Sequence, residues 1–517
     1  MASPVHPTTI KGARPLKVRL GPQIVDLVTS GMYNNPLMVL REYVQNAVDA
    51  IEVAERKGVL ERDTGTVTLT LNGRYRTIVI EDNGVGINAS KVGKLLGSIG
   101  LSSKDGVNTR GFRGIGRLGG LGYAEELRFE TRSTENEPVH VVSWNGARLK
   151  TFLQTTASHA DVADAVKATV RMSHRDPTEN DGTHFFRVTL QNIRQFHRDD
   201  LMNVARVTSY LQQVAPVPFA DAFPLKKKID DYVSKVSGYR TFTVRLNGRT
   251  LHRPHQTTFQ SGTSKADRIR DVTTFEIPGP DGHSLGRGWY ADTDCIAALP
   301  AKLTMRGIRV RQGNIEVGNE YYLADSFKER RFATWHIGEL HLDYGLRANA
   351  RRDGFEESAA HEAFLEFSTR LCRHLSATCR RSSLRRSQQK RLETALAQAE
   401  ATAQHTLVIN DDHRVNKQTQ LRARIKDITT LAAECSSNGQ FTERLQHLQQ
   451  TVEQFATRSR SLTALLDGRT LRPGTRKELL ERVVETILEH HDDPVAAEQI
   501  IDDVIRRLTK PPSSPRS

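Results

Sequence analysis

Residues 41–50 read REYVQNAVDA and residues 80–87 read IEDNGVGI, and the fold of the first third of the chain turns on how these two stretches are placed. The first lies within 36–57, which the sequence predicts as a helix opened by a proline at its first position. On that helix Glu42 and Asn46 share a face, and Asp49 follows one turn later. The second stretch ends an apolar strand. It closes a strand–turn–strand, TVTLTLNG then RTIVIEDNG, with Asn72 and Gly73 as the hairpin turn. Working outward, 22–30 is predicted as a further helix. Strands are predicted around 127–131, 139–144, 151–155 and 183–190. Antiparallel strands with helices on one face make a two-layer α/β sandwich.

Four local patterns on this frame carry chemistry, and their order matters more than any one of them. In the first, Asn46 offers a neutral oxygen suited to Mg2+ and Glu42 a carboxylate able to polarise a water. The same residues would also serve as the polar face of a surface helix. In the second, Asp82 ends its strand as an acceptor for an exocyclic amine, and Gly84 and Gly86 let the backbone turn and approach a base. Asp-Asn-Gly is equally an everyday turn. The third, RGFRGIGRLGGLG, holds Gly111, Gly114 and Gly116, whose backbone N–H groups can cradle phosphates and move as a lid. The fourth, DGTHFFRVTL, starts a strand at Thr183, whose hydroxyl can reach a bound base through water.

These four patterns, in this order across the first 190 residues, resemble the GHKL superfamily, which includes gyrase B, the ninety-kilodalton heat-shock chaperones, histidine kinases and MutL. The resemblance implies a Bergerat ATP-binding fold. It implies Glu42 as the general base, Asn46 as the Mg2+ ligand, Asp82 as the adenine contact with Asp49, Gly84, Gly86 and Thr183 nearby, and 111–116 as the phosphate lid. Lys104 in LSSK matches a phosphate-side lysine of some members and is equally a solvated loop lysine. Glu42 four residues before Asn46 looks like the hydrolase branch.

The segment WHIGELHLDYGLRANARRDGFE extends the likeness. It is similar to a heat-shock chaperone middle domain, in which an arginine reaches the ATP. Here that role falls to Arg352, with Arg351 as its neighbour. An arginine suits a γ-phosphate because its planar fork stays charged and pairs bidentately. A helix over 199–213 and the strand-rich stretches YRTFTVRLNGRTL, DVTTFEI, GRGWYAD, GIRVRQGNIEV and WHIGELHLD fill the middle region. The expected organisation is an ATP-binding domain over 1–190, an α+β transducer-like domain over 191–366 and a helical, dimerising region over 367–517 with a disordered tail.

Bulk properties bound the rest. At 517 residues the chain is too long for one core. No window is apolar enough for a membrane span, and the N-terminus lacks a secretory core, so a cytoplasmic location is expected. The formal charge is +14, yet through Leu190 there are 24 Lys and Arg against 20 Asp and Glu. Most of the surplus therefore lies later, densest over 373–391, where seven basic residues and no acid occur. That run suits a sequence-independent nucleic-acid contact or simply a solvated helix face. The cysteines, Cys295, Cys372, Cys379 and Cys435, show no zinc spacing. Cys372 and Cys379 fall two helical turns apart, as packing residues would. The expected function is an ATP-hydrolysing conformational switch, chaperone-like or MORC-like, acting as a homodimeric clamp on a protein client or nucleic acid. The alternatives are the ATPase subunit of a multi-protein DNA-processing or antiviral defence system, and a nucleotide-gated binding module with little hydrolysis.

Overall fold

The computed structural model describes residues 35–98, 116–155, 162–195, 197–262, 265–349, 351–406, 411–433, 439–454, 477–491 and 494–509. The expected helix over 22–30, Lys104, Gly111, Gly114, Cys435 and the tail from 510 lie outside them. The chain divides into two compact units, the first ending at Cys379 and the second beginning at Arg380.

The first unit opens with helix α1 (Met38–Arg56), followed by strands β1 (Thr66–Asn72) and β2 (Thr77–Asp82). The helix and hairpin are those expected from the sequence, but Asn72 ends β1 paired with Thr77, so the turn is 73–76 and not Asn72-Gly73, and the helix opens at Met38, two residues after Pro36. Helix α2 (Ala89–Leu96) is capped by Asn88, whose side chain accepts from Ser90 N. After a 3-10 turn over Gly116–Gly122 come β3 (Ala124–Arg132), β4 (Val139–Asn145), helices α3 (Gly146–Thr155) and α4 (Val162–Thr169), β5 (Val170–Arg175) and β6 (Phe185–Ile193). Residues 151–155, expected as a strand, are therefore helical. The reason is local: Asn145 Oδ1 accepts from Arg148 N at 2.7 Å, a helix N-cap, and Leu149 and Phe152, three apart, turn one face to the core.

The expected helix over 199–213 is also interrupted. A 3-10 turn (Asp200–Met202) gives way to α5 (Val204–Val214) at Asn203, whose side chain caps the new helix on Arg206 N. Helix α6 (Lys226–Val233) then leads to β7 (Thr243–Leu246) and β8 (Arg249–Thr250). Strand β7 pairs in parallel with β1, Val67 beside Val244, so the first sheet has the order β5-β4-β3-β6-β2-β1-β7-β8. The sheet thus extends past residue 190 and takes its last two strands from the middle of the chain. Alternation decides which residues face α1. Val67, Leu69 and Leu71 on β1 lie opposite Asp82, Ile80 and Ile78 on β2, and all six are buried. Asp82 is thereby carried onto the core face.

Strands β9 (Thr258–Ser261) and β10 (Lys265–Arg268) form a separate hairpin. A second sheet, β11-β12-β15-β13-β14, comprises β11 (Asp271–Pro278), β12 (Ser284–Asp292), β13 (Gly307–Gln312), β14 (Ile315–Val317) and β15 (Ile337–Leu342). Strands β13 and β15 run parallel and are buried along their whole length. Ile308, Val310, Leu340 and Leu342 join a core with Phe364, Cys372 and Leu375. The alternate residues of the same strands carry charge. Arg311 Nε donates to Glu339 Oε1 at 2.8 Å, Arg253 donates to Glu339 Oε2, and His341 Nε2 lies 3.1 Å from that oxygen. Arg253 also donates to Asn314 Oδ1 and to Val217 O, and Asn314 Nδ2 donates to Arg240 O at 2.7 Å. Burial alone would raise the Glu339 carboxyl, but Arg253 and Arg311 hold it well below the usual range. This network ties the second sheet to 213–253, the segment that also supplies β7.

Helix α7 (Ala359–Thr406) begins in the first unit and continues into the second. Arg380, Arg381 and Arg385 are exposed along it. In the second unit, Leu392, Leu396 and Ala399 of α7 pack with Leu421 and Ile425 of α8 (Asp411–Ala433) and with Leu445, Leu448 and Val452 of α9 (Gly439–Gln454). Arg444 bridges Glu393 and Glu400. Helices α10 (Lys477–His490) and α11 (Pro494–Leu508) pack through Val484, Ile501 and Ile505. The fold is mixed α/β with a helical C-terminal part, as expected. No described helix is long and apolar enough to cross a membrane.

Candidate functional site

Helix α1 is buried on most of its circumference, so even its polar residues are withdrawn from water. Arg41, Glu42, Gln45 and Asp49 are buried, and Asn46 is half-buried between Glu42 and Asp49. Sequence spacing thus places two carboxylates and a carboxamide oxygen along one stripe of a helix, a donor set that suits a hard divalent cation. Gly116 closes over this stripe. A Cβ added there would stand 2.9 Å from Glu42 Oε2, so a side chain at position 116 would have to push the Glu42 carboxylate aside.

Asp82 faces α1 from the end of β2. Its Oδ1 accepts from Gly84 N at 2.9 Å. Burial raises its carboxyl well above the usual aspartate range, outweighing that hydrogen bond. Gly84 lies against α1, where a Cβ would meet the backbone of Ala50 at 2.7 Å. Gly86 adopts φ +62°, and a Cβ there would lie 2.0 Å from Arg132 O. Two separate constraints therefore demand glycine at position 86.

The structure brings Glu42, Asn46, Asp49, Asp82, Gly84, Gly86 and Gly116 around α1 and its facing loops. Thr183 is exposed just ahead of β6. Its neighbour His184 makes the link to the Asp82–Gly84 turn, with Nδ1 2.8 Å from Gly84 O. Tyr43 was also not singled out by sequence. Its buried hydroxyl donates to Arg117 O at 3.0 Å and accepts from Gly120 N at 3.1 Å, anchoring the end of the glycine-rich stretch to α1. Arg117 Nη2 donates to Ser98 O at 3.1 Å, which ties together the two flanks of 99–115. A tyrosine inside REYVQNAVDA was the available signal, but nothing in the local spacing names its partner.

Arg352 reaches the same place from the far side of the first unit. The bridge between Ala348 and Phe355 closes a loop, and Asn349 and Asp353 brace it through Nδ2 to Oδ1 at 2.6 Å and N to Oδ1 at 3.2 Å. Within that loop Arg352 holds a left-handed backbone, φ +51°, and its Nη2 donates to Gln312 O at 3.0 Å. Arg41 Nη2 donates to Arg351 O at 2.7 Å, which fastens the loop to α1. Arg352 is buried, whereas the Arg351 side chain is exposed. Burial pushes the Arg352 guanidinium down to about 10, Arg41 adding to the effect and Glu42 opposing it. An arginine so placed gains from any anion brought alongside it.

Residues 33–169 match a family model described as histidine kinase-, DNA gyrase B- and HSP90-like ATPase. Chaperone protein HtpG of Chlorobium chlorochromatii is 29% identical over 130 residues, 22% of this chain and 21% of that protein. HtpG of Methylibium petroleiphilum is 31% identical over 144 residues, 24% of this chain and 23% of that protein. HtpG of Oceanobacillus iheyensis is 24% identical over 193 residues, 34% of this chain and 30% of that protein. The matched region spans under a third of each of these relatives. Its buried acidic helix face, its Asp82–Gly84 turn and its glycine-rich closure agree with that match. The chain carries a GHKL-superfamily ATPase domain that resembles the HSP90 chaperones.

Proposed function

We propose that this protein binds Mg-ATP against α1, hydrolyses it, and uses the cycle as a conformational switch that clamps a protein client between two copies of the chain. The observation that carries the reading is the docking of the Arg352 loop on α1, through Arg41 Nη2 and Arg351 O at 2.7 Å. It couples the nucleotide domain to the second sheet within one chain.

In this reading Asp82 accepts a hydrogen bond from the adenine amine, and Gly84 and Gly86 give the base its close approach. Thr183 joins through water. Asn46 would hold Mg2+ with Glu42 and Asp49 beside it, and the ion would supply charge neutralisation at the phosphates. Glu42 takes the proton from the attacking water. Arg352 balances charge developing on the γ-phosphate, and Lys104, Gly111, Gly114 and Gly116 cover it from the lid side. Because the arginine contact depends on the docked loop, hydrolysis and loop position constrain each other. The HtpG chaperones are the reason for choosing a protein client.

The test is Glu42→Ala. Nucleotide affinity, read by calorimetry, should stay near wild type, while turnover falls by about 10²- to 10⁴-fold, the usual contribution of a general base. Wild-type turnover in Glu42→Ala would end the assignment. Lost binding would show that Glu42 holds the site together instead.

A further inference from the structure

Two cysteines and a histidine, far apart in sequence, meet inside the first unit, well removed in the chain from the nucleotide motifs. Cys295 follows β12 in a left-handed conformation, φ +47°, set by Thr293, whose Oγ1 accepts from Cys295 N at 3.3 Å and lies 3.6 Å from its Sγ. His336 stands immediately before β15. Its carbonyl accepts from Gly307 N at 2.7 Å at the head of β13, and its ring stacks on Phe327 at 5.9 Å. Cys379 is on α7, and its Sγ lies 3.2 Å from His336 Nε2. The two sulfurs and the imidazole nitrogen all fall within 4.8 Å of one another, and the residues are 4%, 3% and 0% exposed.

Their spacing of two helical turns predicts that Cys372 and Cys379 both pack. The structure divides the pair: Cys372 packs in the apolar core, and burial pushes its thiol up to about 12. Cys379 turns to the histidine. Zinc distances of about 2.3 Å to sulfur and 2.0–2.1 Å to nitrogen imply ligand-to-ligand spacings of roughly 3.5–3.8 Å, so the three donors need only small adjustments. Two thiols and an imidazole, without a carboxylate, select a borderline-soft ion over magnesium or calcium. A disulfide between the two cysteines would leave the histidine, pinned by backbone and ring, without a role at their centre.

We propose that Cys295, His336 and Cys379 bind a zinc ion that staples the first part of α7 to the second sheet. Thr293 Oγ1 or one buried water completes four-coordination. The site joins the end of β12, the start of β15 and α7, three elements that no short motif could link.

The experiment uses the full chain, expressed in zinc-supplemented medium, with zinc counted after gel filtration. One zinc per chain is expected, falling to near none in Cys295→Ser and in Cys379→Ser, and staying at one in Cys372→Ser. Chelator-stripped, reduced protein titrated with Co2+ alone should develop thiolate-to-cobalt charge-transfer absorption, and Zn2+ should quench it. His336→Gln should weaken that cobalt complex while leaving both thiols in place, which keeps the test valid should a serine variant misfold. Zinc retained at one per chain in the double Cys295→Ser, Cys379→Ser variant would overturn the proposal. So would reduced wild-type protein that takes up no Co2+, including a chain whose two cysteines are recovered only as a disulfide.

Discussion

Glu42 and Glu339 are both carboxylates taken out of water, 7% and 1% exposed, and the molecule treats them in opposite ways. Around Glu339 each oxygen has its own guanidinium, with His341 at one side, and those arginines are held in turn by backbone carbonyls and Asn314. Around Glu42, among the described residues, the hydrogen-bonding contact is one 3.4 Å approach from Arg41, with Gly116 facing its other oxygen. A buried ion with both oxygens held by guanidinium groups fixes the arrangement of strands. One left with capacity is positioned for something that arrives later. The second sheet is scaffold, and the face of α1 is where we propose the site.

The sharpest way to break this contrast is Glu339→Ala. It strands Arg253 and Arg311 in the core, and the unfolding free energy should drop by about 3–5 kcal/mol, read from denaturant melts. A loss below about 1 kcal/mol would mean the network is dispensable and the distinction empty.

Next in size is Arg352→Ala. It should cut turnover on the order of 10²-fold, as loss of a charge-stabilising donor does, with nucleotide affinity little changed. Arg351→Ala should do far less, because Arg41 holds the carbonyl of that residue and not its side chain. If the two variants behave alike, the loop acts through its fold and not through one guanidinium.

The smallest effect concerns Asp82. Its folded-state pKa is raised by burial, so its contribution to stability is fully present below the ordinary aspartate range and is lost as pH rises toward the folded value. Above that window the ionised, buried carboxylate is a net cost to the nucleotide-free protein. Asp82→Asn should remove that slope, melt higher than wild type at neutral pH, and bind ATP about tenfold more weakly, the worth of roughly one hydrogen bond. Parallel melting curves for the two proteins across acid and neutral pH would remove Asp82 from the contrast.

Much of this was legible because local patterns suffice for it. Helix α1 follows from its spacing, the β1–β2 hairpin from two apolar strands joined near Asn72 and Gly73, though the turn itself is 73–76, and the inward aim of Asp82 from alternation with Ile78 and Ile80. Residues 151–155 misled because a short apolar run fits helix or strand, and the Asn145 cap that settles it lies outside the run. Arg253, Arg311 and Glu339 could not be joined in advance. Arg311 and Glu339 come from separate strands and Arg253 from an isolated bridge to Phe219, and only register puts Glu339 beside Arg309 and His341 beside Arg311. The Cys–His cluster was hidden for the same reason: His336 and Cys379 are 43 positions apart.

The parallel pairing of β1 with β7 has a consequence for how the protein is made. When β6 has left the ribosome, β1 is still an open edge with unpaired N–H and C=O groups, a template for wrong partners. Its own partner, Val244 beside Val67, is not yet synthesised. At about 5–20 residues per second, the fifty or so residues between Ile193 and Leu246 leave that edge bare for roughly 3–10 s. The nucleotide domain is therefore finished late, and a nascent chain stalled before residue 240 would present the very kind of exposed strand that chaperones exist to cover.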